Sequence, residues 1–92
     1  MELERDVEQY LARRVEGMGG ICLKHGQDGW PDRIVMLPSG RLIWVETKRK
    51  TGELADLQVY RAFQLGKVGQ HVVSAWSKDD VDELLRDSQA SI

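Results

Sequence analysis

The sequence has 92 residues, a net charge of −2 at pH 7, 41% hydrophobic residues and 30% charged residues. This length predicts one domain, residues 1–92, with one thin core of a sheet and packed helices. The composition excludes a disordered chain, and no run approaches the roughly 18 apolar residues that a membrane span needs. The acidic balance argues against a general DNA-coating protein, but a protein that holds a metal ion on DNA through carboxylates need not be basic.

The N-terminus and the cysteine content indicate where the protein works. Residues 1–6 are acidic and lack an apolar stretch after a basic head, so we expect no signal peptide. Cys22 is the only cysteine, which excludes an internal disulfide and a cysteine-based zinc site. We expect Cys22 to be a buried thiol that packs as a small hydrophobic side chain. These features suit a reducing cytoplasm.

The hydrophobic pattern predicts seven elements in the order α-β-β-β-α-β-α. The expected ranges are a helix over 2–18, strands over 21–24, 33–37 and 41–48, a helix over 56–67, a strand over 71–76, and a last helix opened by a capping box at Ser77 and Asp80. A hairpin over 38–40 joins the second and third strands, and a polar loop over 49–53 follows the third. Apolar residues on both faces of the third strand predict a central strand that is covered on both sides.

Two charged residues interrupt this most apolar strand. Glu46 and Lys48 are two positions apart, so their side chains point to the same face. Taken alone, the pair favours a strand end that emerges into solvent with an ion pair across one face. The alternative is a metal ligand beside a cation that orients a water molecule and stabilises charge on a phosphate.

Asp32 shifts the balance towards a metal site. A hairpin turn centred near Ser39 places Asp32 opposite Glu46, within about one residue, with their Cβ atoms about 5 Å apart. Two carboxylates at that separation repel each other unless a cation bridges them, and a hard divalent ion suits oxygen ligands. The competing interpretation is that Asp32 caps the loop, since Pro-Asp is common in turns.

Glu4 and Gln58 are further candidates. Glu4 falls within the apolar stripe of the first helix, where an unpaired carboxylate is costly. It could instead be a first-turn charge favoured by the helix dipole, and Glu8, at the edge of the stripe, could be the carboxylate of the site. Gln58 lies where Gln often reaches back in a capping box, but Ala55 cannot return the bond, so a role in the site gains weight.

The remaining polar and aromatic candidates favour structural roles. The histidines are expected at a loop surface and at a strand end, and the tryptophans in the core or at an interface rather than as base-stacking platforms. These residues are His25, His71, Trp30, Trp44 and Trp76.

The motifs together resemble the virus-type replication-repair nuclease (VRR-NUC) family of the PD-(D/E)XK nuclease superfamily. The resemblance rests on Gly29-x-Pro31-Asp32, Val45-Glu46-x-Lys48 and Gln58, and it extends through Glu4-x-x-Val7, Gly19-Gly20, Pro38-x-Gly40 and Gly69 over nearly the whole chain. The full set in this order is more specific than the superfamily motif alone. The sequence departs from the family pattern at Ala55, where Ser is usual, and at Thr47, and neither change removes a ligand.

The resemblance implies a restriction-endonuclease-like α-β-β-β-α-β core, an α/β fold with a mixed sheet flanked by helices. It also implies Mg²⁺ or Mn²⁺ and phosphodiester hydrolysis in structured DNA. Free-standing small members are similar to archaeal Holliday junction resolvases, which implies a homodimer and four-way junction substrates. The rival hypothesis is a non-catalytic DNA-binding or assembly module on the same fold. Either way, the preferred DNA structure, the cut position and the number of metal ions stay open.

The hypothesised mechanism is an in-line attack of water on a phosphodiester, with the metal as Lewis acid. Asp32, Glu46 and the Thr47 carbonyl are the expected ligands. Lys48 lowers the pKa of the attacking water or neutralises the transition state. Glu4 is expected to support a second metal or its waters, and Gln58 to steady the site.

The second helix is apolar on two sides, which favours a dimer. Val59 and Phe63 lie on a different side from Leu57 and Tyr60. One sheet can cover only one side, so the other needs a partner, to which Trp76 could contribute. The alternative is that the last helix covers the second side and the protein is a monomer.

Overall fold

The computed structural model describes residues 2–48 and 54–90, so the predicted polar loop over 49–53 lies outside the described residues. The predicted order of elements and the mixed α/β sheet are confirmed, and the predicted ends agree within two residues. The elements are α1 (Glu4–Gly17), β1 (Ile21–Lys24), β2 (Arg33–Met36), β3 (Leu42–Thr47), α2 (Asp56–Lys67), β4 (His71–Ala75) and α3 (Lys78–Ala90).

The four strands form one sheet in the order β1-β2-β3-β4. The first two pairings are antiparallel, and β3 pairs with β4 in parallel. The β2–β3 hairpin closes through the Leu37 amide, which donates to the Arg41 carbonyl at 2.9 Å. Gly40 has a φ of +91°, which explains a glycine in that turn. Because Arg33 pairs with Val45, the chain just before β2 runs beside the end of β3.

The core lies between one face of the sheet and the pair α1 and α3. It comprises Val7, Leu11 and Val15 of α1, Val35, Ile43, Val45 and Ala75 of the strands, Leu37 after β2, and Val81, Leu84 and Leu85 of α3. Arg14 of α1 forms an ion pair with Asp82 of α3. The Tyr10 hydroxyl donates to the same carboxylate at 2.7 Å. These contacts join the two helices at the rim of the core.

The opposite face of the sheet is only partly covered. α2 packs against β4 on this side, and Leu42 of β3 remains 36% exposed, so the expectation that β3 is covered on both sides is wrong for this end of the strand. The expectation that the sheet covers one of the two apolar sides of α2 is also wrong. The helix turns Gln58, Arg61, Ala62 and Leu65 inward, and its other large apolar side chains, Leu57, Val59, Tyr60 and Phe63, are exposed. Because α3 packs with α1 on the other face of the sheet, α3 does not cover α2.

Three local expectations need correction. Cys22 is half-buried rather than buried, because β1 is an edge strand, and burial raises the pKa of its thiol. His25 is half-buried rather than on a loop surface, with its ring edge-on to Trp44 at 5.7 Å between centroids. In the capping box, the Asp80 amide donates to the Ser77 hydroxyl, but the Asp80 carboxylate accepts from the Trp76 amide.

No helix within the described residues has the length and apolar character to cross a membrane.

Candidate active site

The end of β3 brings Asp32 and Thr47 together. The Thr47 amide donates to Asp32 Oδ2 at 2.8 Å, and the Thr47 hydroxyl donates to the same oxygen at 3.0 Å. Two donors on one oxygen fix the carboxylate at the edge of β3, and both donors belong to Thr47 rather than to the loop that Asp32 was alternatively expected to cap. The amide and carbonyl of one strand residue point to the same edge, so the Thr47 carbonyl is directed towards Asp32 as well.

Glu46 is a buried carboxyl group at the same place. It is 4% exposed, and it faces the α2 side of the sheet, as Gln58 of that helix shows by binding it. Burial is the largest cause that raises the pKa of Glu46 to about 8, and the negative charge of Asp32 is the next. The positive charge of Lys48 lowers the pKa of Glu46. With so high a pKa, this buried carboxyl group favours its ionised form only if a cation is bound beside it.

Lys48 and Gln58 flank this carboxyl group. The Lys48 ammonium lies 4.0 Å from Glu46 Oε1 and the Lys48 side chain is 18% exposed, so this lysine is not the solvated end of a strand. The Gln58 side-chain amide donates to Glu46 Oε1 at 2.8 Å, and its carbonyl accepts from the Ala55 amide at 2.9 Å. Gln58 therefore makes half of a capping box and also faces the site.

The contacts of Glu4 and Glu8 distinguish these two candidate carboxylates of α1. Glu8 binds Arg33 at 2.8 Å and Lys24 at 3.0 Å, so it is committed to ion pairs near the edge of the sheet. Glu4 is half-buried at the first turn of α1, and its charge is among those that raise the pKa of Glu46. This favours Glu4 as the helix carboxylate near the site.

The donor set suits a hard divalent cation of the Mg²⁺ or Mn²⁺ type. Asp32 and Glu46 supply carboxylate oxygens, and Thr47 supplies a carbonyl directed to the same edge. Over the described ranges, no three His, Cys, Asp or Glu side chains converge as a ligand set, so Glu4 does not join the two carboxylates directly. A cation here would be held by two side chains and one carbonyl, with water completing its shell.

Comparisons with known proteins identify the family. The chain is 34% identical over 79 residues to "Putative nuclease p44" of Acyrthosiphon pisum secondary endosymbiont phage 1, an alignment that covers 83% of this chain and 85% of the phage protein. A solved structure described as "VRR_NUC domain" superposes with a TM-score of 0.79 at 31% identity, over 90% of this chain and 94% of the other. The chain belongs to the VRR-NUC family. No protein-family model matches it.

Membership confirms the resemblance inferred from the motifs and makes this chain a VRR-NUC nuclease domain. The residues that carried the inference, Asp32, Glu46, Lys48 and Gln58, are the ones that the fold collects at the end of β3. Their individual roles stay predictions.

Two contributors were not foreseen from the sequence. The Thr47 side chain binds Asp32, whereas only its carbonyl was expected to act. The Arg61 guanidinium lies 4.8 Å from the centre of the Trp30 ring, two residues before Asp32. A hydroxyl next to a candidate ligand was a usable signal for Thr47, but no sequence pattern connects Arg61 to Trp30.

Proposed function

We propose that this VRR-NUC domain is a metal-dependent DNA endonuclease whose site is built from Asp32, Glu46 and Lys48. The observation that supports it best is the buried Glu46 carboxyl group, whose pKa is raised to about 8 beside Asp32. Asp32, Glu46 and the Thr47 carbonyl would hold Mg²⁺ or Mn²⁺. When bound, the ion supplies Lewis-acid chemistry to the phosphodiester.

The surrounding residues have distinct tasks in this proposal. The Thr47 amide and hydroxyl hold the Asp32 carboxylate in one orientation. Gln58 fixes Glu46 Oε1 from α2. Lys48 supplies the positive charge that stabilises the phosphate oxygens as water attacks phosphorus and the opposite P–O bond breaks. Glu4 places negative charge near the site without touching the ligands, and orders water there.

The test uses pure protein with labelled linear, flapped and four-way DNA, with and without Mg²⁺ or Mn²⁺. We expect cleavage that depends on the ion and is lost in Asp32→Asn. Glu4→Gln and Glu8→Gln form a matched pair on one helix, because the charge of Glu4 is among the causes that raise the pKa of Glu46, whereas Glu8 is held in ion pairs with Lys24 and Arg33. Glu4→Gln should slow cleavage, and Glu8→Gln should leave it near the unmodified rate.

The rival function, a non-catalytic DNA-binding module, gives a different result. Such a module would bind the same DNA without cutting any of it, whichever ion is present. The complete set of Asp32, Glu46 and Lys48 favours the enzyme, because a module that only binds DNA has no use for a buried carboxyl group beside a second carboxylate.

We also propose that the protein acts as a homodimer on branched DNA, with four-way junctions preferred. A two-fold dimer presents two equivalent sites, which matches the pseudo-symmetry of a four-way junction. The exposed side of α2 supports such an assembly. Its large apolar side chains are Leu57, Val59, Tyr60 and Phe63, with exposed fractions between 44% and 64%.

The uncovered part of the sheet adds to this surface. By strand alternation and register, Ile21, Leu23 and Leu42 lie on the α2 side of the sheet, and they are 54%, 48% and 36% exposed. Monomeric proteins rarely leave a sheet face and the adjoining helix face apolar together. Trp76 is only half-buried and remains a candidate contributor.

A further inference from the structure

The first turns of α2 hold both chain segments that carry the proposed metal ligands. Gln58 binds Glu46 on β3, and Arg61, one turn later, lies over Trp30 in the loop before Asp32. Leu57 packs on the same loop at Gly29. A Cβ atom at Gly29 would lie 2.4 Å from Leu57 Cδ2, and the φ of Gly29 is +82°, so glycine allows the close approach.

Arg61 is held in place by a hydrogen bond and by the Trp30 ring. No ion pair of Arg61 occurs among the described residues, and the salt bridges there belong to other basic residues. Its Nη1 donates to Gln64 Oε1 at 2.7 Å, and its Nε is buried with no hydrogen-bond partner in the described part of the chain. A half-buried guanidinium of this kind is costly, and the stacking on Trp30 offsets part of that cost.

The link from Trp30 to Asp32 is short and stiff. Pro31 stands between them, is buried, and has a restricted φ, so the Trp30 ring and the Asp32 backbone cannot move independently over a wide range. Trp30 also contacts Trp44 of β3 at 6.3 Å between ring centroids. Fixing the Trp30 ring from α2 therefore fixes the segment that delivers Asp32 to Thr47.

We propose that Arg61 is a positioning residue that holds Asp32 in its metal-binding orientation through the Trp30 ring. The proposal rests on the metal site proposed above. It predicts that Arg61 affects metal affinity and has little effect on the affinity for DNA. A phosphate-binding arginine would do the reverse.

The experiment measures Mn²⁺ affinity by calorimetry on the full chain, together with the KM for DNA. Arg61→Met should weaken Mn²⁺ binding about tenfold, the lower end of the range for residues that orient metal ligands. Arg61→Lys keeps a cation near the ring, so its Mn²⁺ affinity should lie between those of Arg61→Met and the unmodified protein. If Arg61→Met does not fold, Arg61→Lys serves as the test variant. Arg14→Met is the matched control, because Arg14 also lies over an aromatic ring, that of Tyr10, but on the other side of the sheet.

A double-mutant cycle shows whether Arg61 acts through Trp30. Trp30→Leu should weaken Mn²⁺ binding, and adding Arg61→Met should weaken it no further. Unchanged Mn²⁺ affinity in Arg61→Met, additive losses in the cycle, or a raised KM for DNA as the sole effect would each overturn the proposal. If the unmodified protein binds Mn²⁺ no better than Asp32→Asn does, the metal site itself fails, and that outcome is distinct from the first three.

Discussion

The raised pKa of Glu46 makes the metal-free protein less stable as the pH rises. The ordinary value of 4.5 applies to the unfolded chain, and the value in the folded protein is about 8. Between these two values the folded state keeps a proton that the unfolded state has lost, so folding is favoured by acid. This stability is fully present below pH 4.5 and is lost as the pH rises to about 8. The whole change corresponds to roughly 5 kcal/mol at one pKa unit per about 1.4 kcal/mol.

Glu46→Gln isolates this effect, because glutamine keeps the shape of the side chain and cannot ionise. The free energy of unfolding of the variant, relative to the unmodified protein, should rise with pH. The expected rise from pH 5 to pH 9 is about 4 kcal/mol, with most of it reached between pH 5 and pH 8. Urea denaturation in EDTA at four or five pH values measures the difference, and titration elsewhere in the chain cancels in the comparison.

Glu16→Gln is the control, because Glu16 is an exposed residue of α1. The difference in free energy of unfolding between Glu16→Gln and the unmodified protein should stay nearly constant with pH. Parallel stability curves for Glu46→Gln and the unmodified protein would refute the reasoning, since they would mean that Glu46 ionises equally easily in the folded and unfolded states.

Three further predictions follow from the same geometry. Asp32→Asn removes the second cause of the raised pKa of Glu46, so the loss of stability should still begin near pH 4.5 but end at a lower pH than in the unmodified protein, and calorimetry should find no Mn²⁺ binding. Lys48→Ala should reduce the cleavage rate at least 100-fold, by analogy with the loss of one transition-state donor, while DNA affinity measured by anisotropy changes little. Phe63→Glu should convert a dimer into a monomer in light scattering, and a mass near 10.5 kDa for the unmodified chain would contradict the dimer.

Much of the site could be predicted because its residues break a strong local pattern. Glu46 and Lys48 interrupt the most apolar strand, and the two-residue period of a strand places them on one face. The short hairpin then sets the register, so that Asp32 arrives beside the end of β3 as expected. A tight turn leaves little freedom in pairing, and for this reason the meeting of two residues 14 positions apart could be read from the sequence.

The orientation of α2 could not be predicted in the same way. Hydrophobic periodicity assumes that the apolar side of a helix faces the core, and here the side that faces the protein carries Gln58 and Arg61. The reason is local. Gln58 satisfies the buried Glu46, and Arg61 covers Trp30, so polar contacts to the site decide which side turns inward. Contacts between Arg61 and a loop 31 positions earlier leave no periodic trace in the sequence.

The instability at Glu46 and the proposed metal site are two consequences of one arrangement. A carboxyl group is kept out of water beside a second carboxylate, so in the absence of a cation the fold is strained by its negative charge. A divalent ion at the proposed site would remove that strain by binding the folded state alone, and its stabilising effect would grow with the logarithm of its concentration. Below pH 8 the ion would also have to displace the proton of Glu46, so we expect its apparent affinity to fall with acid. In the proposed mechanism, stability, metal affinity and the charge needed for catalysis would therefore all depend on the Glu46 carboxyl group, so the charged site would be favoured only when the ion is bound.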